Sequence, residues 1–340
     1  MPLPKPRPTE NTNQFMNRCM VNDTMVSEYS DRRQRYAVCN SLSKDKSIFT
    51  KKLQKKISKD YEKQILLAEK KNYPLAYQYY LKEFKRGTDM FIENSTPNNP
   101  RFAALFSEKS TKEMYSAMYI QTGLRFSKWY RNNFIMFEEK QENLGYIAST
   151  SEQSIQRYSD MSTRERQNLE NIISQNMQRY ALEKDNYLAL VREVSAVSGV
   201  ARDTLVKVLR ELVSDEKFMN VGLEERTRII MKRLTFKARW MARRIVQTET
   251  TASANFGIQE TASQIFGDKN LKKQWIAGGS NIRDTHSAAS SYYQKQPIPM
   301  NQPYYVGSSQ LMFPSDTKLG ALASEVVNCK CVSIPFVSKT

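Results

Sequence analysis

The chain has 340 residues, with 52 Lys and Arg against 35 Asp and Glu, a formal net charge of +17 and a hydrophobic share of 40%. Eleven glycines are too few for a turn-dense all-β fold, and no apolar run approaches the length of a membrane span. The basic excess, with a mean hydropathy of -0.64, points to a polyanionic partner, either nucleic acid or an acidic protein surface.

Residues 1–10 alternate proline with other residues and read as an extended or disordered tail. Residues 11–43 form a small cysteine-containing unit. Phe15, Cys19 and Met20 stand in one half, and Tyr36, Val38 and Cys39 follow a helix start at Asp31-Arg32-Arg33. Two short helices around a turn fit this pattern. Such a piece is too small to hold itself together by apolar burial alone. It must dock, fold on binding, or be pinned through Cys19 and Cys39. No secretory leader is legible, so the expected state of Cys19, Cys39, Cys329 and Cys331 is free thiol or metal ligand in a reducing compartment.

Residues 44–137 read as a basic helical domain. Leu53, Ile57, Tyr61 and Ile65 repeat every four residues, one face of a helix. Lys51, Lys52, Lys55, Lys56, Lys59 and Lys63 crowd the other positions and are the candidate nucleic-acid contacts. Pro74 is expected to break or kink this helix near Tyr73, with a second helix carrying Leu75, Tyr79, Tyr80, Phe84 and Phe91. Aromatic residues from Phe102 to Phe134 fall at helical spacing, which favours core packing over a base-stacking platform.

Residues 138–161 are polar and read as a linker. Ser162 and Glu165 have the spacing of a capping box, and helices follow through about Val213 and from Leu223 to Phe266. After Gly267, Gly and Pro punctuate short segments, with strands at Trp275-Ile276 and Val332–Val337. The expected class is α+β: mainly helical N-terminal and middle regions, then a small C-terminal α+β domain with a short sheet.

Signatures of dinucleotide, P-loop, α/β-hydrolase and zinc-protease sites are absent. The one histidine, His286, follows Arg283 and Asp284. Read as chemistry, these offer an acid–base pair and an anion-binding cation; read as structure, a hydrogen-bonded loop, which we favour because no nucleophile or cofactor motif stands nearby. Cys329 and Cys331 are one residue apart, a poor match to the usual zinc knuckle. On a strand over 327–332 both would share one face as packed thiols. A metal site would need His286 and a carboxylate such as Asp284 or Asp316.

The order of features over residues 230–336 resembles the Mu F-like minor head protein (head morphogenesis) family of tailed bacteriophages. The matching segments are Ala242-Arg243-Arg244-Ile245-Val246-Gln247-Thr248-Glu249-Thr250 with Asn255 and Gly257, then Lys273-Gln274-Trp275, Arg283-Asp284-Thr285-His286, Pro314-Ser315-Asp316 and Glu325-Val326-Val327-Asn328-Cys329-Lys330-Cys331. Departures are Asn281 for an acid, Ser315 for the glycine of Pro-Gly-Asp, Lys330 for Arg, and Ala288-Ala289-Ser290-Ser291 where Asp-Gly is usual. The resemblance places a minor head domain at 162–340, with Glu249, Trp275, Arg283, Asp284, His286, Asp316, Asn328, Cys329 and Cys331 as family residues of structural role. It implies a virion protein at the portal vertex, made in the host cytoplasm. Its expected partners are the portal, other head proteins and double-stranded DNA, and no membrane. It implies no enzyme activity, and no toxin domain follows; no cofactor is expected, a structural zinc on Cys329, Cys331 and His286 being the minor alternative read from the residues themselves. The competing reading is a toxin-like hydrolase or transferase using Glu249, Arg283, Asp284 and His286.

Overall fold

The computed structural model describes residue 4 and residues 12–43, 51–94, 108–135, 161–182, 216–268 and 271–337. The tail expected at 1–10 (apart from Pro4), the linker at 138–160, Phe102 and Phe106, and the helices expected between 183 and 213 lie outside these residues. The chain divides into two compact units, Met1–Thr50 and Lys51–Thr340.

In the first unit, α1 (Thr12–Met20), α2 (Asp23–Glu28) and α3 (Arg32–Ser43) replace the two expected helices. Asn22 ends the first and starts the second, accepting the Met25 N–H on its side chain. Asp31 likewise receives the Arg33 N–H at the start of α3. Phe15, Cys19, Met25 and Cys39 form the buried core. Cys19 and Cys39 are joined by a disulfide, with their Cα atoms 5.8 Å apart. The expectation of free thiols fails at this pair. It weighed compartment chemistry, whereas a core of this size needs a covalent tie.

The second unit is built on two helices of 44 residues each, α4 (Lys51–Asn94) and α8 (Leu223–Phe266). Between them come α5 (Glu108–Tyr130), which runs into a π-helical turn at Arg131–Ile135, then α6 (Thr163–Leu182) and the short α7 (Glu216–Met219). The capping box forms at α6: Ser162 N–H donates to Glu165, and Glu165 N–H donates to the Ser162 hydroxyl. α8 packs along both α4 and α5, and α5 packs on α6. α4, α5, α6 and α8 therefore belong to one unit with the C-terminal strands, the apolar faces of α4 and α5 being covered by α8.

α4 does not break at Pro74. The proline ring is exposed, while Tyr61, Ile65, Ala68, Ala76, Tyr80 and Phe84 on either side of it are buried. Asn72 donates to both Thr122 and Thr250, tying the proline turn to α5 and α8. This packing outweighs the lost backbone bond at Pro74. The aromatic spacing read from sequence is core: Tyr61, Phe126 and Trp129 pack with ring centroids 5.2–5.9 Å apart.

α5 and α8 meet backbone to backbone at a glycine pair. A Cβ on Gly257 would stand 2.7 Å from the Gly123 carbonyl oxygen and 2.8 Å from its Cα, both backbone atoms. One on Gly123 would first meet the flexible Met177 side chain. Gly257→Ala is expected to destabilise the unit by about 1–3 kcal/mol, and Gly123→Ala by less, because Met177 can turn away. Urea denaturation of both variants checks the order; equal losses would show that this crossing does not set the helix spacing.

The C-terminal part completes an α+β fold. β1 (Leu271–Ile276) is the middle of a three-stranded antiparallel sheet, flanked by β2 (Ile298–Pro299) and β5 (Val332–Val337). Pro335 is tolerated because β5 is an edge strand. α9 (Asp284–Lys295) lies against β1, and β3 (Tyr304–Val306) with β4 (Ser309–Leu311) makes a separate hairpin. α10 (Ala323–Val326) leads into the cysteine pair. Among the described residues no helix is long and apolar enough to cross a membrane.

Candidate functional site

Asn328 has a φ of 56° and turns the chain out of α10, so β5 begins only at Val332. Cys329 and Cys331 therefore lie before the strand, not on it as expected, yet both are buried. His286, in the first turn of α9, is 2% exposed and points at them. Its Nδ1 lies 3.3 Å from Cys331 Sγ and 3.6 Å from Cys329 Sγ. Its Nε2 lies 3.1 Å from Glu325 Oε2, and the Thr285 hydroxyl donates to that same oxygen at 2.8 Å. The Cys331 N–H donates to Cys329 Sγ at 3.4 Å. Trp275 packs edge-on against the imidazole, with ring centroids 5.5 Å apart.

Burial opposes the Cys329 thiolate, but hydrogen bonds from Cys331 and His286 outweigh it and hold this thiol well below the usual range. Cys331 is pushed up, first by its hydrogen bond to Cys329 and then by burial. Burial disfavours a charged His286; the Cys329 bond and the Cys329 and Glu325 charges overcome that and raise it. Thiol, imidazole and carboxylate in a row are the parts of a cysteine nucleophile. They are equally the parts of a metal site with an outer carboxylate. The second thiol and the burial favour the metal arrangement.

The other residues singled out in the sequence have separate surroundings. Glu249 is buried in α8 and accepts the Tyr119 hydroxyl at 2.6 Å. Arg283 donates to the Val327 carbonyl. Asp284 is exposed at the start of α9. Asp316 is fully buried and accepts from the Tyr180 hydroxyl, the Met312 N–H and the Lys318 N–H at 2.8–3.1 Å. Neither Asp284 nor Asp316 is therefore the carboxylate of the cysteine cluster; that role falls to Glu325. Ser315 has a φ of 65°, the left-handed region that favours glycine. Its hydroxyl donates to the Val326 carbonyl at 3.2 Å, which offsets part of the strain.

Three residues that the sequence did not single out as a site hold this region together. Asn255 of α8 donates to the Tyr61 hydroxyl and to the Thr251 and Cys331 carbonyls, and accepts the Ser333 N–H. Lys273 is buried on β1, donates to the Met312 carbonyl at 2.6 Å, and lies 4.9 Å from the Tyr304 ring centroid. Burial lowers its pKa to about 7, against the opposing pull of Asp316. Glu325 is the third. The main partners of Asn255, Lys273 and Glu325 are far away in sequence.

The basic face is broader than expected. Lys55, Lys56, Lys59 and Lys63 are exposed on α4, whereas for Lys51 and Lys52 only the backbone at the start of the helix is described. Lys55 and Lys59 border a cavity of about 340 Å³, together with Ser58, Ala277 and Gly279. The Lys330 side chain approaches Gly279, which brings a cation of the cysteine motif to the same loop. The first half of α8 adds a basic stretch that periodicity did not reveal. Residues 226–248 there contain no acid, and Lys232, Arg239 and Arg243 are exposed. Counting acids between the cations would have found this stretch, since α4 interleaves Asp60, Glu62 and Glu69 with its lysines. No protein-family model, curated protein or solved structure matches this chain.

Proposed function

We propose that this chain is a minor head protein of a tailed bacteriophage, acting at the portal vertex in head assembly, DNA packaging or ejection. The observation that carries the reading is the ordered set of segments from Arg243-Arg244 to Cys329-Lys330-Cys331. Its support from packing is that Glu249 ties α8 to Tyr119 of α5, Asp316 accepts from Tyr180 of α6, and Asn255 and His286 both reach Cys331. We favour it over a hydrolase or transferase because Glu249, Arg283, Asp284 and His286 are committed to different surroundings. The exposed cations of α4 and α8 suit a DNA or acidic portal surface.

The test has two arms in one preparation. From infected cells, the tagged chain is expected to co-purify with the portal ring and to be present in purified virions. A chain that purifies alone and is missing from virions overturns the reading. Filter binding to double-stranded DNA across salt examines the charge: replacing Lys232, Arg239 and Arg243 by Glu should lower the slope of log affinity on log salt by about 0.9 for each phosphate no longer neutralised. An unchanged slope removes DNA and leaves the acidic protein surface.

A further inference from the structure

We propose that His286, Cys329 and Cys331 bind one zinc ion, with Glu325 as the outer carboxylate that orients the histidine. The inference is independent of the phage reading. Its first support is metric. Zn–S and Zn–N bonds of about 2.3 and 2.0–2.1 Å at a tetrahedral angle place sulfur and nitrogen about 3.6 Å apart. The two Nδ1–Sγ separations are 3.3 and 3.6 Å, and all three donor atoms lie within 4.8 Å of one another. Both Nδ1–Sγ separations therefore match a single tetrahedral ion to within about 0.3 Å.

The second support is the far side of the ring. A metal-binding histidine donates its other nitrogen to a carboxylate or carbonyl, which fixes the tautomer. Here Nε2 faces Glu325, itself held by Thr285. With the proton on Nε2, the lone pair of Nδ1 is directed between the two sulfurs.

A third observation concerns donors to sulfur. The Cys331 N–H reaches Cys329 Sγ. The buried Trp275 indole N–H has no hydrogen-bond partner among the described residues and lies near Cys331. Such donors spread the charge of metal-bound thiolates. Two thiolates and an imidazole are a soft donor set that selects zinc over magnesium, calcium or manganese. Among the described residues no fourth His, Cys, Asp or Glu joins the set.

The one-residue spacer between the cysteines, which counted against zinc in the sequence, is accommodated by the left-handed turn at Asn328. The ion would clamp α9 to the lead-in of β5. The Arg283–His286 and Asn328–Cys331 segments would then share one physical task.

Metal analysis of the full chain, purified with reductant and no chelator, is expected to find one zinc per chain. Cys331→Ser and His286→Asn should lower this to below about a tenth, and Glu325→Gln should weaken zinc retention against a competing chelator about 10–100-fold. The Cys19→Ala/Cys39→Ala pair should keep the metal. Because the ligand variants can misfold, the native chain supplies a second readout. Cobalt(II) should give the intense visible bands of a tetrahedral site with thiolate charge transfer, and Cys329 and Cys331 should resist thiol reagents until chelator is added. Substoichiometric metal with freely reactive thiols, or a Cys329–Cys331 disulfide in the purified chain, overturns the proposal.

Discussion

Trp275→Ala is expected to destabilise the Lys51–Thr340 unit by about 3–5 kcal/mol, the largest loss from a single side chain that we foresee. Trp275 is fully buried on the central strand. Its ring meets His286 edge-on at 5.5 Å and Tyr304 at 5.2 Å, and Tyr304 in turn packs on Tyr293 at 4.8 Å. Truncation therefore opens a cavity between β1, α9 and β3. The loss combines transfer and cavity terms, and edge-to-face contacts add to it. Trp275→Phe should lose markedly less, since a ring remains against His286 and Tyr304. Urea unfolding followed by circular dichroism measures both. A loss below about 1 kcal/mol for the alanine variant would mean that the sheet is not organised around this residue.

The second large effect belongs to the other unit. Replacing Cys19 and Cys39 by Ala should remove about 3 kcal/mol, the chain-entropy value for a loop near the 20-residue separation that this bond spans. A unit whose core is Phe15, Met25 and the two cysteines has little else to offset the ordering of three helices. The expected result is loss of amide protection over 12–43, with protection of 51–340 unchanged. Hydrogen exchange with and without reductant reads this directly. Retained protection after reduction would show that apolar packing and the Asn22 cap suffice. Val21, Val26 and Tyr36 remain exposed on this unit, so burial leaves part of its apolar surface unused.

Several features were legible in the sequence because they are local. The four-residue spacing of Leu53, Ile57, Tyr61 and Ile65 marks one helix face; Ile57, Tyr61 and Ile65 are buried and Leu53 is half-buried. Ser162 and Glu165 marked the start of α6, and the cap forms. Trp275-Ile276 and Val332–Val337 were read as strands, and they pair with each other. The α+β class followed from the shift in punctuation after Gly267. Pro74 misled because the local rule is correct for an isolated helix. In this unit the rule is overruled by side chains from α5 and α8 that hold both halves in line.

What determined the candidate site was not local. His286 is 45 residues from Cys331, 43 from Cys329 and 39 from Glu325. No periodicity carries information across such gaps. The sequence by itself determined which residue types were present: one histidine, a cysteine pair and several nearby carboxylates. It could not say which carboxylate would reach the ring, and it pointed to Asp284 and Asp316, where the fold supplies Glu325. That choice was made by the antiparallel pairing of β1 with β5, which seats α9 beside the turn at Asn328. The same distinction holds for the charge. Composition determined that the protein is strongly basic, but only the burial of the apolar faces of α4 and α8 decided which cations face solvent. Helices and strands follow short-range geometry. A site follows from which surfaces pack together, and that depends on the whole core at once.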